Sequence, residues 1–223
     1  MDFPGLAPLW LTVRLGLYTV AALLILATPL AWWLSRTQSR AKAVLEAIVA
    51  LPIVLPPTVL GFYLLILLGP HGAIGKPWVE LTGETLTFSF AGLVIASSIY
   101  SLPFVVQPLQ NGFESVGRGF VDAAATLGAR PLDAFFTVAV PLAARGFLTA
   151  IVMGFAHTLG EFGVVLMVGG NIPHETRVIS IAIYDHVEAL DYATAHRLSA
   201  VLVAFAFVAL LSLYMINRRW RRD

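Results

Sequence analysis

Leu15 to Leu34 reads LGLYTVAALLILATPLAWWL, twenty consecutive residues without a charged side chain. As a helix this run rises ~30 Å, the thickness of a bilayer's hydrocarbon core. It is too long for a strand, and it does not alternate at period two. In lipid, a lone segment satisfies its own backbone polar groups only as a helix. Four further runs of this kind follow: Ala47 to Gly69, Leu86 to Phe113, Gly146 to Gly170 (interrupted by Glu161) and Leu198 to Asn217. Taken to their edges, they predict five helical spans, about 10–34, 46–69, 87–112, 146–170 and 197–217. These form a single membrane domain, 1–223, with one long loop at 114–145. The expected class is an all-α integral membrane protein.

Composition agrees. Hydrophobic residues make up 58% of the chain and charged residues 12%, against about 25% charged in ordinary soluble domains. Mean hydropathy is +0.84. With so little charge, a globular protein could not cover its surface. There is no cysteine, which excludes disulfides, thiolate metal sites and a catalytic thiol. No metal-ligand cluster, cofactor motif or basic nucleic-acid surface is legible. Met1 to Gly5 carries no positive leader, so the first apolar run is expected to remain as a span.

Orientation follows from Lys and Arg, which favour the cytoplasmic side. With the N-terminus outside, the inner segments hold Arg36, Arg40, Lys42, Arg118, Arg130, Arg145, Arg218, Arg219, Arg221 and Arg222. The outer ones hold only Arg14, Lys76, Arg177 and Arg197. The C-terminus is then cytoplasmic. Trp10 and Trp78 fall at outer edges and Trp32, Trp33 and Trp220 at inner ones, where amphipathic rings anchor in the headgroups.

Pro52, Pro56 and Pro57 crowd the second span, and Pro103 and Pro108 lie in the third. Each removes a backbone donor. Ordinary kinks are one reading. The other, favoured by three prolines in six residues, is that Leu51 to Gly61, with Thr58, lines a pathway.

The loop Glu114 to Arg145 predicts two short helices. The first, near Gly119 to Leu127, places Phe120, Ala124 and Leu127 on one face, and Gly128 closes it. The second starts at Pro131 and turns Leu132, Phe135 and Phe136 to one side. Such an apolar elbow should dock on a membrane surface or a cytoplasmic partner.

Here a resemblance becomes specific. Asp122-Ala123-Ala124, three residues, Gly128, nine residues, then Val138, Val140 and Pro141 resembles the cytoplasmic signature of ABC importer permeases of the type I class. Asp122 stands where Glu is usual, and the two valines stand where Ile and Leu are usual. The resemblance implies that Asp122, Ala123, Ala124, Leu127, Gly128, Ala129 and Pro141 form a coupling helix seated in a cytoplasmic ATPase subunit. The implied assembly is two permease copies, two ATPases and an extracytoplasmic binding protein, set in membrane lipid. Gly75-Lys76 is the only Gly-Lys pair, but Pro70 and Pro77 occupy the flanking positions of a phosphate-binding loop. The nucleotide site is therefore expected on another polypeptide.

His157-Thr158-Leu159-Gly160-Glu161-Phe162-Gly163, with Leu51-Pro52-Ile53-Val54-Leu55-Pro56-Pro57, is similar to the molybdate branch of that family, in the bacterial inner membrane. Tungstate and sulfate carriers are the near alternatives. A carboxylate inside a span costs about 2.5–3.5 kcal/mol, so Glu161 should face protein or water. His157, four residues earlier, shares its helical face. A proton relay, a gate contact and a satisfied pair fixing the helix all fit, and the pair is favoured. An ion-gradient transporter using His157 and Glu161 is the rival class, and it leaves the Asp122 to Pro141 spacing unexplained.

Overall fold

The computed structural model describes residues 6–117 and 119–219. The inner-edge role expected of Trp220 and the charges of Arg118, Arg221 and Arg222 lie outside the described residues, as does Met1 to Gly5. All regular structure among the described residues is helical.

Three helices are long and apolar enough to cross a membrane alone. They lie within α1 (Leu6–Arg36), α5 (Phe90–Val116) and α12 (Tyr192–Arg219). The second predicted span is not one helix. It is α2 (Ala41–Val54) followed by α3 (Pro57–Leu68), bent by 112°. Leu55 and Pro56 adopt extended backbone at the junction, with ψ of 135° and 136°. Pro56 and Pro57 provide the cause, since neither can donate to the turn before it. A short helix, α4 (Gly75–Thr82), then fills the connection to α5.

The loop after α5 contains α6 (Gly119–Thr126) and α7 (Pro131–Ala134). A π-helical turn, Phe135–Ala139, leads from there into α8 (Val140–Leu142). The chain bends by 70° between this segment and α9 (Ala144–Leu159). The fourth span was expected as one helix over 146–170, and this too needs correction. α9 has 16 residues, which rise about 24 Å and fall short of the hydrocarbon core. The chain unwinds over Gly160 to Phe162 and resumes as α10 (Gly163–Gly169). With each bent pair counted as one span, the total reaches up to five.

The expected outer loop, 171–197, is also mostly ordered helix. α11 (Ile179–Glu188) buries Ile179, Ile181 and Ala182 and packs on α12. The last helix therefore starts at Tyr192 rather than 197. Asp191 caps it, accepting from the Thr194 amide at 3.2 Å. Bonds from Thr194, and secondarily the nearby His186, hold its carboxyl below the ordinary carboxylate range.

α1, α5 and α9 make the centre of the packing. At their crossing a Cβ on Gly112 would sit 2.9 Å from the Gly146 Cα, so the two backbones touch. Small residues permit such approaches where no hydrophobic force draws helices together in lipid. One apolar cluster joins Leu23, Ala27, Leu34, Val105, Leu109, Phe113 and Ala150. Trp32, half-buried, packs against this core. Its ring lies 5.1 Å from both Phe113 and Phe135, under the Arg36 guanidinium at 4.2 Å. Phe135 was expected on the exposed face of the elbow, yet it turns inward to this cluster, while Leu132 and Phe136 stay exposed.

The Gly112–Gly146 contact leaves no room for a side chain. Gly112→Val should cost about 1–3 kcal/mol through overpacking. Thermal unfolding of the detergent-purified protein measures it, and an unchanged midpoint would contradict the packing described.

Candidate functional site

The two chain breaks meet. α3 and α10 lie side by side, and their buried Leu64, Leu68, Val164 and Val168 form an apolar cluster with Leu86 and Ala96. At the start of these helices a Cβ on Gly163 would stand 2.8 Å from the Cβ of Pro57. Gly61 closes on the Met167 side chain at a comparable 2.8 Å. Glycine is needed on this face because the second break presses directly on the first.

Behind this contact lies a cavity of about 600 Å³, walled by Pro57, Thr58, Tyr100, His157, Gly160 and Glu161 among others. Four residues singled out in the sequence (Pro57, Thr58, His157 and Glu161) are thus brought to one place. Pro52 and Pro56 are not. Pro52 is buried within α2, and Pro56 is exposed at the bend. Their effect on the cavity runs through the direction they give α3.

The expected His157–Glu161 pair does not form. His157 is in the last turn of α9, and its Nδ1 lies 2.9 Å from Ser101 Oγ on α5. Ser101 Oγ is also 3.3 Å from the Thr158 hydroxyl, which donates to the Gly154 carbonyl. The His157 ring stacks on Phe104 with centroids 4.0 Å apart and leans on Tyr100 at 4.6 Å. Glu161 lies beyond the helix end, so the i, i+4 relation no longer aligns the two side chains. Its amide reaches the Thr158 carbonyl, and its own carbonyl accepts from Ser180 Oγ at 2.7 Å. Phe162, next along, packs against Tyr184 of α11. The Glu161 carboxyl is buried and neither oxygen has a hydrogen-bond partner.

Tyr100, Ser97, Ser98, Ser101 and Phe104 were missed. A signal was present, because Ser97-Ser98-Ile99-Tyr100-Ser101 sets hydroxyls at helical spacing inside an otherwise apolar span. Beyond α10, Asn171 Nδ2 donates to both Asp185 oxygens at 2.8 Å, and Arg177 Nε donates to Asn171 Oδ1 at 2.6 Å. This trio ties the segment after α10 to α11.

The coupling-signature residues cluster elsewhere, on the α6–α8 elbow. Asp122, Ala123, Leu127, Gly128 and Pro141 are exposed, and Ala124 and Ala129 are half-buried. Gly128 has φ of +89°, and Ala129 N–H reaches the Ala124 carbonyl at 3.0 Å, closing the helix end. Phe120 and Leu127 are 62% and 90% exposed, an apolar face that this chain alone leaves uncovered. A cavity of about 820 Å³ lies beside the elbow, between the end of α5 and the start of α9, and includes Pro141 and Arg145 in its wall.

An all-helical fold with bent spans, an exposed elbow and a largely apolar cavity carrying a buried carboxyl at a double break fits a membrane transport component. The chain belongs to the family of binding-protein-dependent transport system inner membrane components, whose model matches residues 16–222. It is 58% identical over 213 residues to the molybdenum transport system permease protein ModB of Azotobacter vinelandii, covering 96% of this chain and 94% of that one. The protein of the same name from Escherichia coli K12 is 36% identical, over 92% of this chain and 91% of its own. Among solved structures, a bacterial alginate ABC transporter in complex with an alginate pentasaccharide-bound periplasmic protein shares the fold. Its TM-score is 0.75 at 19% identity, over 96% of this chain and 78% of that one.

Ser101→Ala removes a buried partner of His157 and should destabilise the folded protein by about 1–3 kcal/mol. A urea or thermal unfolding series in detergent reads this, and wild-type stability in the variant would remove Ser101 from the site.

Proposed function

We propose that this chain is the membrane-spanning permease of an ATP-binding-cassette importer, and that its cargo is molybdate. The observation that carries the assignment of class is the exposed elbow. Asp122 through Pro141 presents the coupling signature on a helix pair whose apolar face needs a partner. Cargo rests on the 58% identity to a molybdenum permease over 96% of the chain. Tungstate shares the size and charge of molybdate and remains a competing substrate of the same pathway.

In this reading the elbow faces the cytoplasm, the N-terminus is outside and five spans cross the inner membrane. Two copies form the path, since five helices are few to enclose one, and each elbow seats in one of two ATPase subunits. An extracytoplasmic binding protein delivers the oxyanion. The nucleotide chemistry belongs to the ATPases, and this chain makes and breaks no covalent bond.

The physical sequence begins with ATPase closure, which draws the two elbows together. The α7–α8 segment transmits that movement to α9 through the 70° bend, and Phe135 transmits it to the cluster around Trp32 and Phe113. At the far end, the Pro57–Gly163 contact separates and rejoins, opening and closing the path. The described spans carry no Lys or Arg facing the cavity. A dianion there meets hydroxyls, an imidazole, backbone groups and the Glu161 carboxyl, and no cation, so the path holds its cargo weakly and selection falls to the binding protein.

Uptake of sub-micromolar molybdate in cells deleted for this gene should return when the chain is restored, and should be blocked by tungstate but not by sulfate. Restored uptake that sulfate blocks equally would reassign the cargo. Separately, Gly128→Val forces a branched residue into left-handed backbone, at about 1–3 kcal/mol, and reshapes the elbow. It should abolish co-purification of the ATPase while the membrane level of the permease holds. Normal co-purification and uptake would remove the elbow from coupling.

A further inference from the structure

A carboxyl group closed off inside a single chain, with one hydroxyl and no cation facing it, is better suited to the neutral acid than to the carboxylate. Glu161 is 3% exposed, and both its oxygens are shut off from solvent and unbonded. The sealing is internal to one chain, so neither lipid nor a second copy reaches these atoms in this conformation. The Ser97 hydroxyl of α5 faces this carboxyl, and its Oγ is likewise buried with no other partner. The ionisable groups around Glu161 are few. α9 supplies His157, which is engaged with Ser101. α5 supplies Tyr100, within electrostatic reach of the carboxyl. α3 supplies only the hydroxyl of Thr58, and α11 supplies Ser180, bonded to the Glu161 carbonyl, with Tyr184 against Phe162. On α1, Arg14 is directed onto the rings of Phe90 and Tyr18 at 4.4 and 5.6 Å. Among the described residues, no Lys or Arg is set against the carboxyl.

We propose that Glu161 is a proton-binding site at the hinge of the fourth span. It is held as the neutral acid while the breaks are closed, and it ionises when they part and water enters. As the acid, one oxygen carries a hydrogen that Ser97 Oγ can accept, which removes two unsatisfied buried groups at once. As the carboxylate it needs water, which would reach its buried oxygens from the cavity of about 600 Å³ that Glu161, Pro57 and Gly163 wall, once those walls move apart. One proton is therefore released on opening and taken up again on closing. The bond made and broken is the O–H of Glu161, and solvent supplies and receives the proton. Acid favours the closed breaks, and rising pH favours the open ones. The opening step rests on reading the double break as the moving part of the path, while the protonated state stands on burial alone.

The test is infrared spectroscopy of the assembled permease and ATPase in lipid vesicles, wild type against Glu161→Gln. At neutral pH the difference spectrum should contain the C=O stretch of a protonated carboxyl, lost in the variant and fading in wild type as pH rises. A difference confined to the carboxylate bands would show Glu161 ionised and overturn the proposal. Should Glu161→Gln not assemble, Glu161→Asp carries the test, since it should displace the protonated band and leave the carboxylate region unchanged. The link to opening is read from uptake. The ratio of wild-type to Glu161→Gln rates should change with pH, because the amide cannot release a proton, and a constant ratio overturns that link. Loss of molybdate uptake in both proteins, with the protonated band in place, would count against the proposed cargo and leave the proton site standing.

Discussion

The contact between Pro57 and Gly163 is the constraint on which the rest of the transport region depends. Backbone polar groups released inside a membrane must find new partners or face a water-lined space. Two of the interruptions among the described helices, at Leu55–Pro56 and Gly160 to Phe162, lie one against the other. The cavity, the stacked His157 and the buried Glu161 are consequences of that juxtaposition. Prolines fix one side by withholding donors, and glycine fixes the other by taking up no space. The breaks are then covered from outside by α11, whose Ser180 bonds the Glu161 carbonyl.

At the other end, the α6–α8 elbow is joined to the same helices by aromatic packing. Phe135 leaves the exposed face and enters the cluster of Trp32, Phe113 and Phe147. Arg36 closes over Trp32 and also reaches the Gly117 carbonyl at 3.3 Å. Lys42 and Gln110 both engage Glu46 and Glu114, so the start of α2 is held to the end of α5. The elbow is thus packed or bonded to α1, α2, α5 and α9 together, which in the proposed reading is the route by which a push on it would travel. Such mechanical continuity suits a part that receives work from another subunit.

The class of protein was legible in the apolar runs, because twenty uncharged residues have one solution in lipid. The two-helix elbow was legible because Gly128 occupies the left-handed position that a helix end calls for; its coupling role is proposed from the spacing of the signature. Two things were hidden. A charge-free run reports length and solvent but not direction, so 46–69 and 146–170 read as single helices although each is two. The pairing of His157 with Glu161 assumed an unbroken helix between them. Once α9 ends at Leu159, that geometry is lost and Ser101, distant in sequence, takes the imidazole.

The central claim, that the two breaks must part for cargo to pass, is tested most directly by locking them. The chain has no cysteine, so Pro57→Cys with Gly163→Cys introduces a single possible bridge between backbone segments already in contact. In vesicles containing the full assembly and molybdate-loaded binding protein, oxidation should stop ATP-driven uptake and a reductant should restore it. Undiminished uptake with the bridge formed would show that these breaks are fixed architecture and that the path opens elsewhere.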